Sequence, residues 1–351
     1  MIYFERGKLV FENYITKRKF HGSADTLILL SHFVKLQAVR DVMKMFSEYT
    51  PESIIDSIRN LLDSGLLIVK DSEEDRLSRR FSTSWLWPNA SRYYHFSSKL
   101  YEPFWSPREI KTFYEKNLRG RAQPKIYKSY TNTPRIRLLA GGDTEAPLFA
   151  TMRRRRTTRA FSGAPISLSE LSQIMLYTWG KMSSIPTKEF GRLLHKASPS
   201  AGARHPIEAY AVVNKVTGIE PGIYHYSVEH HGLEVLKKGD FREKCVDFAA
   251  GQAWTRDSSV FLVMTAVVAR TAWKYRSTRV YRAFLLDIGH LSQTFLLVST
   301  ALGLGAFCIG IISDAAIEKE LGLDGVNEIA LFGVGVGHHA KASGQTAHRR
   351  E

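Results

Sequence analysis

The stretch KASPSAGARHPIEAYAVV, Lys196 to Val213, changes character half-way along. Its first half is built from Ser, Pro, Ala and Gly; its second half turns into a strand that ends in Ala209, Tyr210, Ala211, Val212 and Val213. Small side chains let a backbone come close to something flat or tight. A small-residue loop directly ahead of a buried strand therefore reads either as a tight turn or as a surface on which another group lies. Ser200, Ala201 and Gly202 by themselves do not choose between the two, and Arg204-His205-Pro206 reads as a turn with exposed polar groups.

The surrounding chain has 351 residues, enough for two domains and at least one sizeable core, and its 44% hydrophobic content marks a globular protein. Lys and Arg number 49 against 34 Asp and Glu, a formal net charge of +15. That balance suits an acidic or phosphorylated ligand and raises nucleic acid as a partner, without choosing between them. The two cysteines, Cys245 and Cys308, are far apart, so no disulfide framework or CxxC zinc site is available, which fits a reducing, cytoplasmic setting. No apolar run is long enough for a bilayer, and the charged, alternating start MIYFERGKLVFENY does not read as a signal peptide.

Outward toward the N-terminus, residues 1–80 read as a small domain. GKLVFENYI is a strand; Ser23, Ala24 and Asp25 open a helix carrying Leu27, Leu29 and Leu30. Thr50 and Pro51 open another, whose Ile54, Ile55, Ile58, Leu61 and Leu62 recur at helical spacing before Gly65 ends it and LLIVKD follows as a strand. Helices followed by a short strand are winged-helix-like. Residues 81–143, rich in Trp, Tyr, Ser, Lys and Pro (SWLWPN, SRYYHFSS, YEPFWSP), read as a connecting segment of short strands and turns.

Residues 144–351 form the second domain. Ser167 and Glu170 make a capping box for a helix with Leu168, Leu171, Ile174 and Met175 on its buried face, closed by Gly180. GIYHYSVEHHGLEVL reads as a hairpin turning at His230 to Gly232, and Ser258 to Ala269 as a buried strand. A long helix follows with Tyr281, Phe284, Leu285, Ile288, Leu291 and Phe295 on one face, and EIALFGVGVG is the last strong strand. Strands and helices mix without regular βαβ alternation, so the expected class is α+β.

Several residues can carry chemistry. RRRRTTRAF sets Arg forks beside Thr hydroxyls, a combination suited to gripping phosphate, although a charge run also reads as a solvated basic face. In ALGLGAFCIGII the glycines fall at 303, 305 and 310 and follow a helix, which is a poor dinucleotide pattern; Gly303 and Gly305 read as a helix cap. Lys274 and Tyr275 are adjacent and can share a proton in a dry pocket, or be an ordinary snorkelling lysine and an interface tyrosine. Asp287 and His290 read as helix-packing polar groups, and the adjacent His338 and His339 have poor metal-ligand spacing, so no metal site is expected.

The order of these pieces carries more than any one of them. RRTTRAF, SPSAGARHPIEAY, LLDIGHLSQTFLLVSTALGLG, CIGII and LFGVGVG, in that sequence, resemble the nitroreductase-type FMN flavoprotein fold over roughly residues 150 to 337. The PSAGARHPIEAY loop and Trp273-Lys274-Tyr275 resemble more specifically its SagB-type and cyanobactin-oxidase branch, the azoline dehydrogenases of ribosomal peptide (RiPP) maturation, and the N-terminal region is loosely similar to their peptide-binding winged-helix-like portion. The resemblance implies a central, mostly antiparallel sheet flanked by helices, and a homodimer with FMN at its interface. It implies that Arg155, Arg156 and Thr157 bind the phosphate and that Arg159 lies near the pyrimidine side of the ring. It implies that Ser200, Ala201 and Gly202 lie on the ring, and that Ile309 and Gly310 reach its N5 and O4 edge. It implies Lys274 and Tyr275 as base and partner. Ala203 stands where many nitroreductases have Asn, and Lys341, Arg349 and Arg350 are the candidates for the C-terminal part of the phosphate site.

The expected reaction is FMN-dependent oxidation of peptide thiazolines or oxazolines to thiazoles or oxazoles. The expected partners are an azoline-containing precursor with an acidic leader and a cyclodehydratase, not nucleic acid or membrane. Two other readings stand beside it: an NAD(P)H-dependent nitro or quinone reductase, and a DNA- or peptide-binding protein with a non-catalytic flavin fold. Against DNA, the Pro51 to Asp63 helix carries Glu52, Asp56 and Asp63 with one arginine, Arg59.

Overall fold

The computed structural model describes residues 1–84, 89–99, 112, 115, 116, 118–140, 145–188, 190–275 and 277–340. The chain divides into two compact units, Met1–Pro103 with Ser277–Arg279, and Phe104–Arg276 with Val280–Glu351.

The first unit opens with an antiparallel sheet of β1 (Ile2–Glu5), β2 (Lys8–Asn13) and β3 (Arg18–Gly22) in that order. Helices α1 (Ala24–Ser31), α2 (Val39–Met45) and α3 (Pro51–Asp63) follow. Ser23 caps α1 in a capping box with Thr26, and the Thr50 hydroxyl accepts from the Ser53 amide with Pro51 in the first turn of α3. Ile54, Ile58 and Leu61 of α3 bury against Leu29 and Val42, whereas Ile55 points out.

LLIVKD is not a strand. Gly65 adopts φ +72, and the amides of Leu66 and Leu67 fold back onto the Leu61 carbonyl, which spends on the helix end the donors a ladder would need. SRYYHFSS falls within helix α5 (Asn89–Ser97), preceded by α4 (Glu73–Ser84), rather than in the short strands expected. YEPFWSP and most of SWLWPN lie outside the described residues.

The second unit is built on a seven-stranded sheet, ordered β11-β12-β10-β7-β8-β9-β4, in which every neighbouring pair is antiparallel. The strands are β4 (Arg135–Arg137), β7 (Ile207–Val213), β8 (Gly222–Ser227), β9 (Gly232–Lys238), β10 (Val260–Val267), β11 (Gly305–Ile309) and β12 (Glu328–Gly337); β5 (Ser183–Thr187) and β6 (Gly191–His195) form a separate hairpin.

Both faces are covered, so the central strands read as continuous apolar runs rather than alternating ones. On β7, Ala209, Ala211 and Val213 face one core and Tyr210 and Val212 the other; on β10, Val260, Leu262, Met264 and Ala266 oppose Phe261 and Val263. The first core lies under α7 (Leu168–Trp179) and α10 (Tyr281–Ala301), whose Trp179 and Phe295 rings meet with centroids 6.0 Å apart. On α10, Phe284, Ile288, Leu291 and Phe295 are buried while Tyr281 and Leu285 are exposed. The second core lies under α8 (Arg242–Phe248) and α11 (Asp314–Leu321). The capping box of Ser167 and Glu170 and the stop at Gly180 are as the sequence implied. The fold is α+β: a small sheet-and-helix N-terminal unit is followed in the chain by a helix-flanked antiparallel sheet.

Candidate functional site

The fold gathers the candidate residues into two groups. The first lies along β11. Helix α6 (Leu148–Arg154) ends at Arg155, and the chain then runs beside β11, with Thr157 bridged to Ala306 and the Thr158 amide donating to the Ala306 carbonyl at 2.9 Å. Gly305 is not part of the helix cap; it opens β11, where a Cβ would lie 2.7 Å from Thr158 Cγ2, so the strip packs this close only against glycine. Gly303, at φ +77, follows the end of α10 as expected.

Burial raises the Cys308 thiol pKa, and the charges of Arg155 and Arg159 act against that rise, which places both guanidinium groups around this strand. Arg159 also lies over the Trp254 ring, 5.8 Å from its centroid. Arg156 is exposed and turns its Nη1 onto the carbonyls of Arg153 and Arg155. Ile309 ends β11 opposite Gly333, and Gly310 follows it. Lys341, Arg349 and Arg350 lie outside the described residues.

The second group is built on the loop ahead of β7. Gly202, Ala203 and His205 have φ of 60, 53 and 44. Three left-handed positions within four residues cost about 1–2 kcal/mol at each non-glycine, so the surroundings must hold the loop in place. Asp287, on α10, supplies that hold: it accepts from the Ser200 hydroxyl and from the Ala201 amide at 3.2 Å. It is therefore a loop anchor, and not only a helix-packing group. The Ser200 hydroxyl oxygen also accepts the His205 amide at 2.9 Å. The His205 Nε2–H donates to the Leu194 carbonyl, and burial holds the ring neutral, with its pKa lowered to about 3.

Arg204 is not exposed as the sequence suggested. It is 6% accessible, its Nε donates to the Gly202 carbonyl at 3.2 Å, and its guanidinium lies over Trp273. Lys274 and Tyr275 follow the short helix α9 (Val268–Ala272) and come directly against this loop. A Cβ at Gly202 would stand 3.1 Å from Lys274 Nζ and collide with the Tyr275 hydroxyl. Lys274 is 9% accessible, with its ammonium 4.0 Å from the Phe190 ring centroid; burial, then the charge of Arg204, lower its pKa. A dry cation, a phenol and a glycine backbone thus share one surface, where burial makes the Lys274 ammonium easier to deprotonate than an exposed one.

A buried charge chain fixes α9 to the loop. Arg270 donates from Nη1 to the His205 carbonyl at 3.1 Å and pairs with Glu208, while Glu208 and Glu234 both bond His225 at 2.9 Å. Burial pushes Glu208 up, but Arg270 and His225 outweigh it and leave the carboxyl at about 2. These residues come from four separate elements, so no local motif marks them; a Glu and a His inside otherwise apolar strands were the available signal.

In the N-terminal unit, a cavity of about 340 Å³ lies between α1 and α3, lined by apolar Phe20, Leu29, Phe46 and Ile54 and carrying two charges, Asp25 and Glu48, both acidic. Among the described residues no group of three or more His, Cys, Asp and Glu is placed to hold a metal ion, and no helix is long and apolar enough to cross a membrane.

Residues 152–338, just over half of the chain, match the model of the nitroreductase family. The chain belongs to the nitroreductase family. Both residue groups fall inside the matched region. The trifolitoxin-processing protein TfxB of Rhizobium leguminosarum bv. trifolii is 28% identical over 328 residues, covering 88% of this chain and 86% of that protein. A protein of Methanocaldococcus jannaschii named as a nitroreductase is 32% identical over 168 residues, 48% of this chain and 80% of its own length. A nitroreductase-type crystal structure from Anabaena variabilis shares the fold with a TM-score of 0.52 at 23% identity, covering 69% of this chain and half (50%) of that one.

The residues present fit a flavin mononucleotide. Arg155 and Arg159 bring cationic donors suited to a phosphate close to β11, and the Gly202 backbone lies against Tyr275 and Lys274, which fill the space a Cβ there would need.

Proposed function

We propose that this protein is an FMN-dependent azoline dehydrogenase acting on a peptide during natural-product maturation. The observation that carries this reading is the contact of Lys274 and Tyr275 with the Gly202 backbone, which puts a proton-accepting pair against the surface assigned to the flavin ring. Similarity to a trifolitoxin-processing protein over nearly the whole chain, N-terminal unit included, supports a maturation role over a free-standing reductase.

Arg155, Arg156, Thr157 and Arg159 would hold the phosphate and the polar side of the ring, Ser200, Ala201 and Gly202 its face, and Ile309 and Gly310 its far edge. When bound, FMN supplies a two-electron acceptor. The chain's own residues do the rest. The loop and Trp273 shield the reacting carbon from water. The Lys274–Tyr275 pair would take the ring α-proton while hydride leaves the adjacent carbon for the two-electron acceptor, and the azoline becomes an aromatic azole. Two strands, β12 and β10, separate β11 from β7, roughly 14 Å across the sheet at about 4.8 Å per strand spacing. The homodimer with FMN at its interface is carried by the family resemblance alone.

The N-terminal unit would hold the precursor peptide or a cyclodehydratase partner. Among the described residues, the charged groups lining its cavity, Asp25 and Glu48, are acidic, so that groove suits an apolar or basic segment rather than the acidic leader expected from the net charge.

An anaerobic reduction assay tests the reading. Bleaching of bound flavin by an azoline-containing peptide alone is expected. Bleaching by NADPH alone would move the protein to the reductases, and failure to load FMN would remove both.

A further inference from the structure

Arg204 has no task in the reaction just described, yet its placement is costly. It is 6% accessible, one guanidinium nitrogen, Nη2, is fully enclosed without an acceptor among the described residues, and the side chain is held by the Gly202 carbonyl and the Trp273 ring. A buried donor on a charged group that has lost its water and gained no acceptor is destabilising. The carboxylate that anchors this loop, Asp287 of α10, is committed to Ser200 and Ala201. The enclosed nitrogen belongs to a side chain whose charge is felt by both Lys274 and Tyr275. An oxygen acceptor is the group this spot lacks.

We propose that Arg204 receives the carbonyl oxygen attached to the substrate carbon that loses its proton. This rests on the azoline reading. In an azoline formed within a peptide, the ring α-carbon carries the carbonyl of the following peptide bond. When its C–H bond breaks, the proton passes to the Lys274–Tyr275 pair and the electron pair spreads toward that oxygen. The hydride leaving the neighbouring ring carbon then passes to the flavin, the oxidant, and the pair closes the new ring double bond. A guanidinium N–H at the oxygen stabilises the charge as it develops, and one fixed on an aromatic face needs no reorganisation to do so. Arg204 would thus select substrates with an acceptor on that carbon and acidify its proton.

The test uses the full-length protein with its flavin and two small probes, N-methylthiazole-4-carboxamide and 4-methylthiazole, whose affinities are measured by ligand-observed NMR. The wild type is expected to prefer the carboxamide at least tenfold. Arg204→Met, which keeps the stem over Trp273, should erase the preference by weakening the carboxamide alone, and Arg204→Lys should restore part of it. Equal loss of both probes in Arg204→Met would mean a packing role and overturn the proposal, as would a wild type with no preference. Flavin reduction by an azoline peptide should fall about 10²–10³-fold in Arg204→Met. If the wild type itself is not reduced by the azoline peptide, the proposed reaction falls, while the probe preference still decides the role of Arg204.

Discussion

Ser200 and Asp287, 87 residues apart in sequence, are joined by a hydrogen bond from the serine hydroxyl to the carboxylate, and the same carboxylate takes the Ala201 amide at 3.2 Å. The bond ties the loop ahead of β7 to α10. Replacing Asp287 with Ala leaves one hydroxyl and one amide without that acceptor, at about 1–3 kcal/mol. The expected result is a lower Tm together with weaker flavin retention, read by denaturation and by flavin fluorescence on dilution. Asp287→Asn should keep part of both.

Gly202→Ala introduces strain twice over: φ is +60, and the new methyl group would meet Tyr275 and Lys274. The backbone penalty alone is about 1 kcal/mol or more. The larger consequence is displacement of the proton-accepting pair. A fall in flavin reduction rate well beyond the fall in stability is expected, measured by stopped-flow absorbance beside urea denaturation; equal effects would assign the pair no special dependence on this contact.

Lys274 carries a pH signature. Burial and then Arg204 hold its pKa below the ordinary 10.5. A lysine depressed in the folded state destabilises the protein while protonated. That penalty is relieved as pH rises through the folded value and is fully gone above 10.5. Lys274→Met is therefore expected to be more stable than wild type near neutral pH, with the gap closing as pH rises toward 10.5, while flavin reduction slows sharply. Urea denaturation across pH follows the first effect.

The Arg270–Glu208 pair, 5% and 3% accessible, behaves oppositely. Glu208 is held at about 2, below its ordinary 4.5, so its contribution is present above pH 4.5 and is lost as pH falls toward 2. Arg270→Met strands a buried carboxylate and should cost about 3–5 kcal/mol. Glu208→Gln should flatten part of the acid limb between pH 4.5 and 2. Equilibrium denaturation at stepped pH measures both.

The elements that follow from local chemistry were legible in the sequence. The capping box at Ser167 and Glu170, the Thr50–Pro51 start of α3, the hairpin of β8 and β9, and the apolar run of β10 are all set by neighbours within a few residues. The LLIVKD segment misled because its composition is that of a strand, while the amides it would need are drawn back to the end of α3. Arg204 misled for the opposite reason: a charged residue in a turn is usually solvated, and here Trp273, 69 positions later, packs its ring on the guanidinium.

By itself the sequence determined the α+β class, the caps at Thr50, Ser167 and Gly180, the strands β7 to β10 and β12, and the order of motifs that marks a nitroreductase-family chain. Tertiary structure alone decided which residues meet. It put Lys274 and Tyr275 on the Gly202 backbone, assigned Asp287 to the loop, buried Arg204, and joined Glu208, His225, Glu234 and Arg270 into one chain of charges. The physical reason is range. Capping, turn formation and periodic burial act over a few residues and leave a local pattern, whereas desolvation and charge pairing depend on what packs from distant segments and leave none.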